Sequence, residues 1–181
     1  NLSNSQDTQL LQKALNEDSE TVDIHHAGTA MRFLTSFYAI QEGRKTILTG
    51  SERMKQRPIK PLVDALRELG AEINYLENEG FPPLEIQGRK IEKNFVKIPA
   101  NISSQFITSL ILIGAILENG LEIDLKGEIT SRSYIKMTLK ILKDIGIETR
   151  FEGNTIKILS AASSLSNQKL DRHYHSSKIK H

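Results

Sequence analysis

Residues 26–33 read His26-Ala27-Gly28-Thr29-Ala30-Met31-Arg32-Phe33, and residues 49–58 read Thr49-Gly50-Ser51-Glu52-Arg53-Met54-Lys55-Gln56-Arg57-Pro58. This pair of segments has a counterpart in Asn101-Ile102-Ser103-Ser104-Gln105-Phe106 and Lys126-Gly127-Glu128-Ile129-Thr130-Ser131-Arg132-Ser133-Tyr134. In both pairs, polar punctuation stands ahead of a helical pattern and again after the strand that follows it. Phe33-Leu34-Thr35-Ser36 aligns with Phe106-Ile107-Thr108-Ser109 roughly 70 residues later, a spacing longer than solenoid repeats. Leu66-Arg67-Glu68-Leu69-Gly70-Ala71-Glu72-Ile73 matches Leu142-Lys143-Asp144-Ile145-Gly146-Ile147-Glu148-Thr149 in the same register. Polar residues that recur at equivalent junctions of a repeat point to a shared ligand surface.

The repeat organises the rest of the chain. Residues 7–15 read as a short amphipathic helix with Asp7 as N-cap, and 21–24 as a strand. A helix over 29–41 ends before Gly43, a C-cap candidate, and is followed by a strand at 45–48 and a charged loop at 49–57. Pro58 stands where the next helix would begin, since its missing N–H costs nothing there. Ile59, Leu62, Val63, Leu66 and Leu69 give that helix its apolar stripe, and Gly70 stops it. Strands at 71–76 and 84–87 close the unit. The second copy predicts strand 95–98, helix 104–117, strand 121–125, loop 126–132, helix 133–145, and strands 147–151 and 154–159. The expected architecture is α/β (α+β), one globular domain over 1–159. It divides into a partial unit 1–24, a βαβαββ unit 25–90 and another at 91–159. Residues 160–181 are expected to be a disordered or non-native tail, and their His173-x-His175 pair lacks the further ligands a metal site needs.

Composition narrows the function classes. The 181 residues suffice for one substantial domain. With 24 Lys and Arg against 22 Asp and Glu, the net charge is +2 and no basic stripe is present, so a nucleic-acid partner is not expected. The absence of cysteine removes disulfides, thiolate metal sites and a cysteine nucleophile. No apolar run reaches the ~20 residues of a membrane helix, and no signal peptide is visible. The chain begins at Asn1, in sequence that reads as mid-fold, so an upstream segment is expected to be missing.

The HAGTAMRF block resembles the Asn-Ala-Gly-Thr-Ala-Met-Arg signature of the 5-enolpyruvylshikimate-3-phosphate synthases. ERMKQRPIKPLVDAL, SSQF and SRSYI follow in that family's order and spacing, and Phe81-Pro82-Pro83-Leu84 also fits. Four ordered blocks over residues 5–158 make the resemblance specific. It implies an inside-out α/β barrel fold in which each of two domains holds three βαβαββ units, with the active site between the domains. It implies a cytoplasmic enzyme of aromatic amino-acid biosynthesis that moves the enolpyruvyl group of phosphoenolpyruvate to the 5-hydroxyl of shikimate 3-phosphate and releases phosphate. No cofactor or metal is expected. The opposite domain, with its catalytic carboxylates, is not in this chain, so no catalytic acid or base is expected here and the chain alone should be inactive. The alternatives are a domain of the UDP-N-acetylglucosamine enolpyruvyl transferase type, whose usual cysteine is missing, and a stand-alone binding module of the same fold.

On residue type alone, each site candidate has an ordinary reading beside the functional one. Gly28 is either a plain glycine before a helix or a place where an anion approaches open amides. Arg57 is either a solvated arginine or a fork for a carboxylate or phosphate. Ser103 is either an N-cap alone or a ligand hydroxyl, and Tyr134 either a packed core tyrosine or a substrate neighbour. The resemblance assigns Gly28, Arg57 and Gln105 to phosphoenolpyruvate, and Ser103, Ser104, Gln105, Ser131 and Tyr134 to shikimate 3-phosphate. Arg32 and Arg53 stay outside that set. His26 and Ser133 depart from the family's Asn and Pro, and His26 reads either as a titrating neighbour of the anion site or as a substitute cap.

Overall fold

The computed structural model describes residues 3–164. α1 (Gln6–Asn16) leads into β1 (Thr21–Asp23), α2 (Gly28–Ala39), β2 (Lys45–Thr49), α3 (Glu52–Lys55), α4 (Lys60–Leu69), β3 (Glu72–Tyr75) and β4 (Leu84–Gln87). The second copy runs β5 (Phe95–Pro99), α5 (Ser104–Gly114), β6 (Leu121–Lys126), α6 (Arg132–Asp144), β7 (Thr149–Glu152) and β8 (Thr155–Ile158). Two four-stranded sheets result, ordered β1-β2-β4-β3 and β5-β6-β8-β7. In each, the first two strands are parallel and joined by a helix, and the last two form an antiparallel pair. The repeat seen in the sequence is thus a repeat of topology.

This topology corrects the expected unit boundary. β1 pairs in parallel with β2, Thr21 opposite Ile47, just as β5 pairs with β6. It opens the first complete unit and is not the remnant of an earlier one; α1 stands ahead of that unit among the described residues. Three residues with one buried side chain (Val22) carry too little pattern to reveal a partner across the intervening helix.

The helices end and begin where side chains meet orphan backbone groups. Ser5, not Asp7, caps α1 by accepting from the Thr8 amide at 3.3 Å, which leaves Asp7 in the first turn. Gly43 sits in a turn after Ile40 has closed α2. α4 starts at Lys60 with Pro61 in its first turn, two residues later than Pro58 suggested. Gly70 caps α4 at φ 112°, a conformation that favours glycine. α5 stops at Gly114, short of the expected 117. Within the expected loop 49–57 lies α3, which Ser51 caps through the Met54 amide and which Met54 anchors by its own burial.

α2 and α5, equivalent helices of the two units, pack on one another. At their contact the repeat-equivalent serines meet: Ser109 Oγ lies 2.5 Å from Ser36 Oγ and donates to the Arg32 carbonyl at 2.8 Å, all buried. α4 packs on β5 of the next unit, whereas α6 packs chiefly on α5 and β7. A stripe of α6 therefore stays open, with Tyr134, Met137, Ile141 and Ile145 each more than half exposed. Residues 160–164, expected in the tail, continue the fold. Ala161 N–H donates to the Ala115 carbonyl at 2.9 Å, and buried Ser164 accepts from the Glu148 amide at 3.1 Å. Among the described residues no helix is long and apolar enough to cross a membrane.

Candidate functional site

α2 begins at Gly28 behind Ala27, whose side chain offers no acceptor, and no side-chain cap closes this end. The leading amides therefore stay open and carry the positive end of the helix dipole. The Arg57 guanidinium lies against that opening. A Cβ on Gly28 would come 2.8 Å from Arg57 Cζ and 2.9 Å from Nη2, and nearer still to Nη1. The glycine is thus needed for room, as its place before a helix suggested, but the group that takes the room is Arg57 itself.

Arg57 is exposed, and its guanidinium has no hydrogen bond or ion pair among the described residues. The lysines nearby in sequence are neutralised. Lys55 reaches Glu52 at 3.2 Å and Glu77 at 2.9 Å, and Lys60 reaches Asp64 at 3.4 Å and Glu79 at 2.8 Å. Arg57 follows α3 directly, its amide donating to the Met54 carbonyl at 3.0 Å. A free planar fork beside open amides is an arrangement suited to a phosphate or carboxylate.

The start of α5 brings a different chemistry to the same place. Ser103 Oγ accepts from the Gln105 amide at 3.3 Å, so this hydroxyl serves as the N-cap. The Ser104 hydroxyl has no partner among the described residues. Gln105 Nε2 donates to Thr29 Oγ1 at 3.0 Å, a bond across 76 residues that ties the start of α5 to the start of α2. With its nitrogen engaged there, the Gln105 side-chain oxygen is left without a hydrogen-bond donor among the described residues.

Between α2, α5 and α6 lies a groove of about 470 Å³. Thr29, Ser103, Ser104, Gln105, Thr108 and Tyr134 give it polar groups, and Phe33, Leu112, Met137 and Ile141 an apolar floor. Tyr134 is 62% exposed, which rules out the packed core tyrosine. Ser131 is the N-cap residue of α6, makes no side-chain cap bond, and does not itself line the groove. The structure therefore gathers Ser103, Ser104, Gln105 and Tyr134 in one groove, joins Gly28 to Arg57 beside it through Thr29, and leaves Ser131 at the adjoining helix start.

His26 does not cap α2. It is exposed, and its Nε2 lies 3.2 Å from Gln6 Oε1 on α1. Among the described residues no cluster of His, Asp or Glu is placed to hold a metal ion; His173 and His175 lie outside the described residues.

Arg32, which the sequence reading left aside, is only 4% exposed. It donates to the Gly28 carbonyl at 3.0 Å and the Pro58 carbonyl at 3.3 Å, and it meets no carboxylate among the described residues. Burial and the neighbouring Arg57 charge lower its pKa to about 10, so it remains cationic at neutral pH. Its position inside the apolar run of α2 was the one signal in sequence. Thr29 was missed because its partner Gln105 belongs to the other repeat.

The EPSP synthase family model, described as 3-phosphoshikimate 1-carboxyvinyltransferase, matches residues 3–170. The chain is similar to the 3-phosphoshikimate 1-carboxyvinyltransferase of Bacteroides fragilis, with 55% identity over 146 residues, covering 81% of this chain and 35% of that protein. It is 46% identical over 134 residues to the Haemophilus influenzae enzyme of the same name, covering 73% of this chain and 31% of the relative. Among solved structures, an EPSP synthase from Acinetobacter baumannii superposes with a TM-score of 0.65 at 22% identity, over 79% of this chain and 31% of that one, a likeness of fold. The chain spans about a third of the length of the curated relatives it matches.

Proposed function

The chain belongs to the EPSP synthase family, the 3-phosphoshikimate 1-carboxyvinyltransferases, and from that premise we propose that it forms the anion-gathering part of such an enzyme. Phosphoenolpyruvate sits against Arg57 and the open end of α2 at Gly28, with Gln105 reaching it from α5. Shikimate 3-phosphate occupies the groove, held by Ser103 and Ser104 at the start of α5, by Gln105 and Tyr134, and by Ser131 at the start of α6. The observation that carries this reading is the Arg57 fork, unpaired and laid over Gly28, next to a groove whose hydroxyls are largely unspent.

The proposed contribution is positioning. Two reactants held in reacting geometry account for roughly 7–11 kcal/mol of a barrier, against about 1.5–3 kcal/mol for one charge-assisted hydrogen bond. Each anion needs several fixed donors before any proton moves, and this chain's residues supply donors. No carboxylate or histidine takes part in the groove lining. The proton transfers of enolpyruvyl addition and phosphate release therefore fall to groups on a second domain that closes over the groove, and the chain alone turns over no substrate. The end of the α6 stripe at Ile145, which does not line the groove, is where further repeat structure packs.

Titrating shikimate 3-phosphate, and then phosphoenolpyruvate, into the chain tests this by calorimetry. Saturable binding of each is expected, with Ser104→Ala weakening the first and Arg57→Ala the second. Equal affinities in both variants and the wild type would overturn the assignment, and turnover by the chain alone would overturn the division of labour.

A further inference from the structure

We propose that Arg32 is a positioning residue of the anion site that sets Arg57 in place without touching the ligand, a role that rests on the reading of the site given above. Its four contacts converge from separate elements. Nη1 donates to the Gly28 carbonyl at 3.0 Å and approaches Met54 Sδ at 3.7 Å, Nη2 donates to the Pro58 carbonyl at 3.3 Å, and the guanidinium lies 5.8 Å from the centre of the Phe106 ring. Gly28 is the residue against which Arg57 rests, Met54 anchors the turn before Arg57, and Pro58 follows Arg57 in the chain. One buried fork thus spans the first turn of α2 and both sides of the residue it is argued to place.

Packing alone does not account for an arginine here. A buried cation without an anionic partner is costly, and an apolar side chain of similar volume is often as good or better for stability. The charge that acts on Arg32 is another cation, Arg57, and the open helix end adds a third positive feature. These like charges repel in the empty site and are neutralised together when an anion enters. The repulsion also favours conformations in which Arg57 points out of the core, over Gly28 and toward the opening. Lysine at this position would keep the charge but lacks the planar fork that holds two carbonyls at once.

A double-mutant cycle on phosphoenolpyruvate affinity, joined to hydrogen exchange of residues 54–58, tests the role. Arg32→Met is expected to weaken binding about tenfold. In an Arg57→Met background the same change should have no further effect, because Arg32 acts through Arg57. Additive losses in the double variant would overturn the proposal, since a merely structural or purely long-range role leaves the two residues independent. In the exchange arm, the Arg57 amide, bonded to the Met54 carbonyl, should exchange about tenfold faster in Arg32→Met while β5 and β6 keep their protection, the scale expected for one lost hydrogen bond. Unchanged exchange there would overturn the proposal as well. If Arg32→Met does not fold, Arg32→Lys takes its place in both arms with the same criteria. A wild-type chain that binds no phosphoenolpyruvate would sink the reading of the site, and the exchange arm would still decide whether Arg32 positions Arg57.

Discussion

Replacing Gly28 with alanine separates two reasons for a glycine at the start of α2. The backbone there is not left-handed, so alanine fits the conformation, and its helix propensity favours it by at most about 1 kcal/mol. The new methyl would sit 2.8 Å from Arg57 Cζ and 2.9 Å from Nη2. Ordinary contacts need roughly 3.5–4.0 Å, and Nη1 would lie nearer still, so the guanidinium must withdraw by more than about 1 Å. That movement is cheap for the fold, because Arg57 is exposed and its fork is unpaired. Global stability should therefore change by less than about 1 kcal/mol. A withdrawal of this size breaks at least one charge-assisted hydrogen bond to a bound anion, about 1.5–3 kcal/mol, or roughly a ten- to hundredfold loss of phosphoenolpyruvate affinity. Calorimetric titration beside thermal unfolding reads both quantities. In an Arg57→Met background, Gly28→Ala should cost little further affinity. If it costs as much there as in the wild type, the methyl obstructs the ligand directly and the room at Gly28 is not Arg57's. Unchanged affinity in the single variant would refute the whole placement.

Ser109→Ala removes the bonds to the Arg32 carbonyl and to Ser36 at the buried contact between the repeats, and should lower unfolding free energy by about 1–3 kcal/mol in urea; a change under about 0.5 kcal/mol would show that the two units do not depend on it. Ile145→Lys, on the 69%-exposed end of the α6 stripe, should alter stability by no more than about 0.5 kcal/mol, and a large drop in melting temperature would place that stripe inside the fold of this chain. Burial lowers the folded pKa of Arg32 to about 10, well below that of a free guanidinium, so above pH 10 the unfolded chain binds the extra proton and the stability linked to Arg32 rises as pH climbs through 10. By pH 11 the wild type should gain about 1 kcal/mol relative to Arg32→Met, and parallel pH profiles would refute the buried, unpaired charge.

What the sequence disclosed follows from which interactions are local. The stripe of α4, the glycine that ends it, and the two polar junctions of each unit are properties of short stretches, and all are present, with α4 starting two residues later than Pro58 suggested. β1 was assigned to the wrong unit because its identity lies in a parallel partner on the far side of α2. α3 was invisible as a helix because four residues cannot nucleate one unaided; the Ser51 cap and the burial of Met54 make it. The site divides the same way. Ser103, Ser104, Gln105 and Tyr134 could be named because they stand in short motifs that carry the family resemblance, whereas the bond from Gln105 to Thr29 and the burial of Arg32 exist only once two units are stacked. The stacking also explains why a duplicated unit yields an unsymmetrical site. At equivalent junctions the first unit offers an uncapped helix end and a free guanidinium, and the second a capped end rich in hydroxyls. Repetition fixes where the junctions face, and divergence at a handful of positions gives the two helix starts different donors.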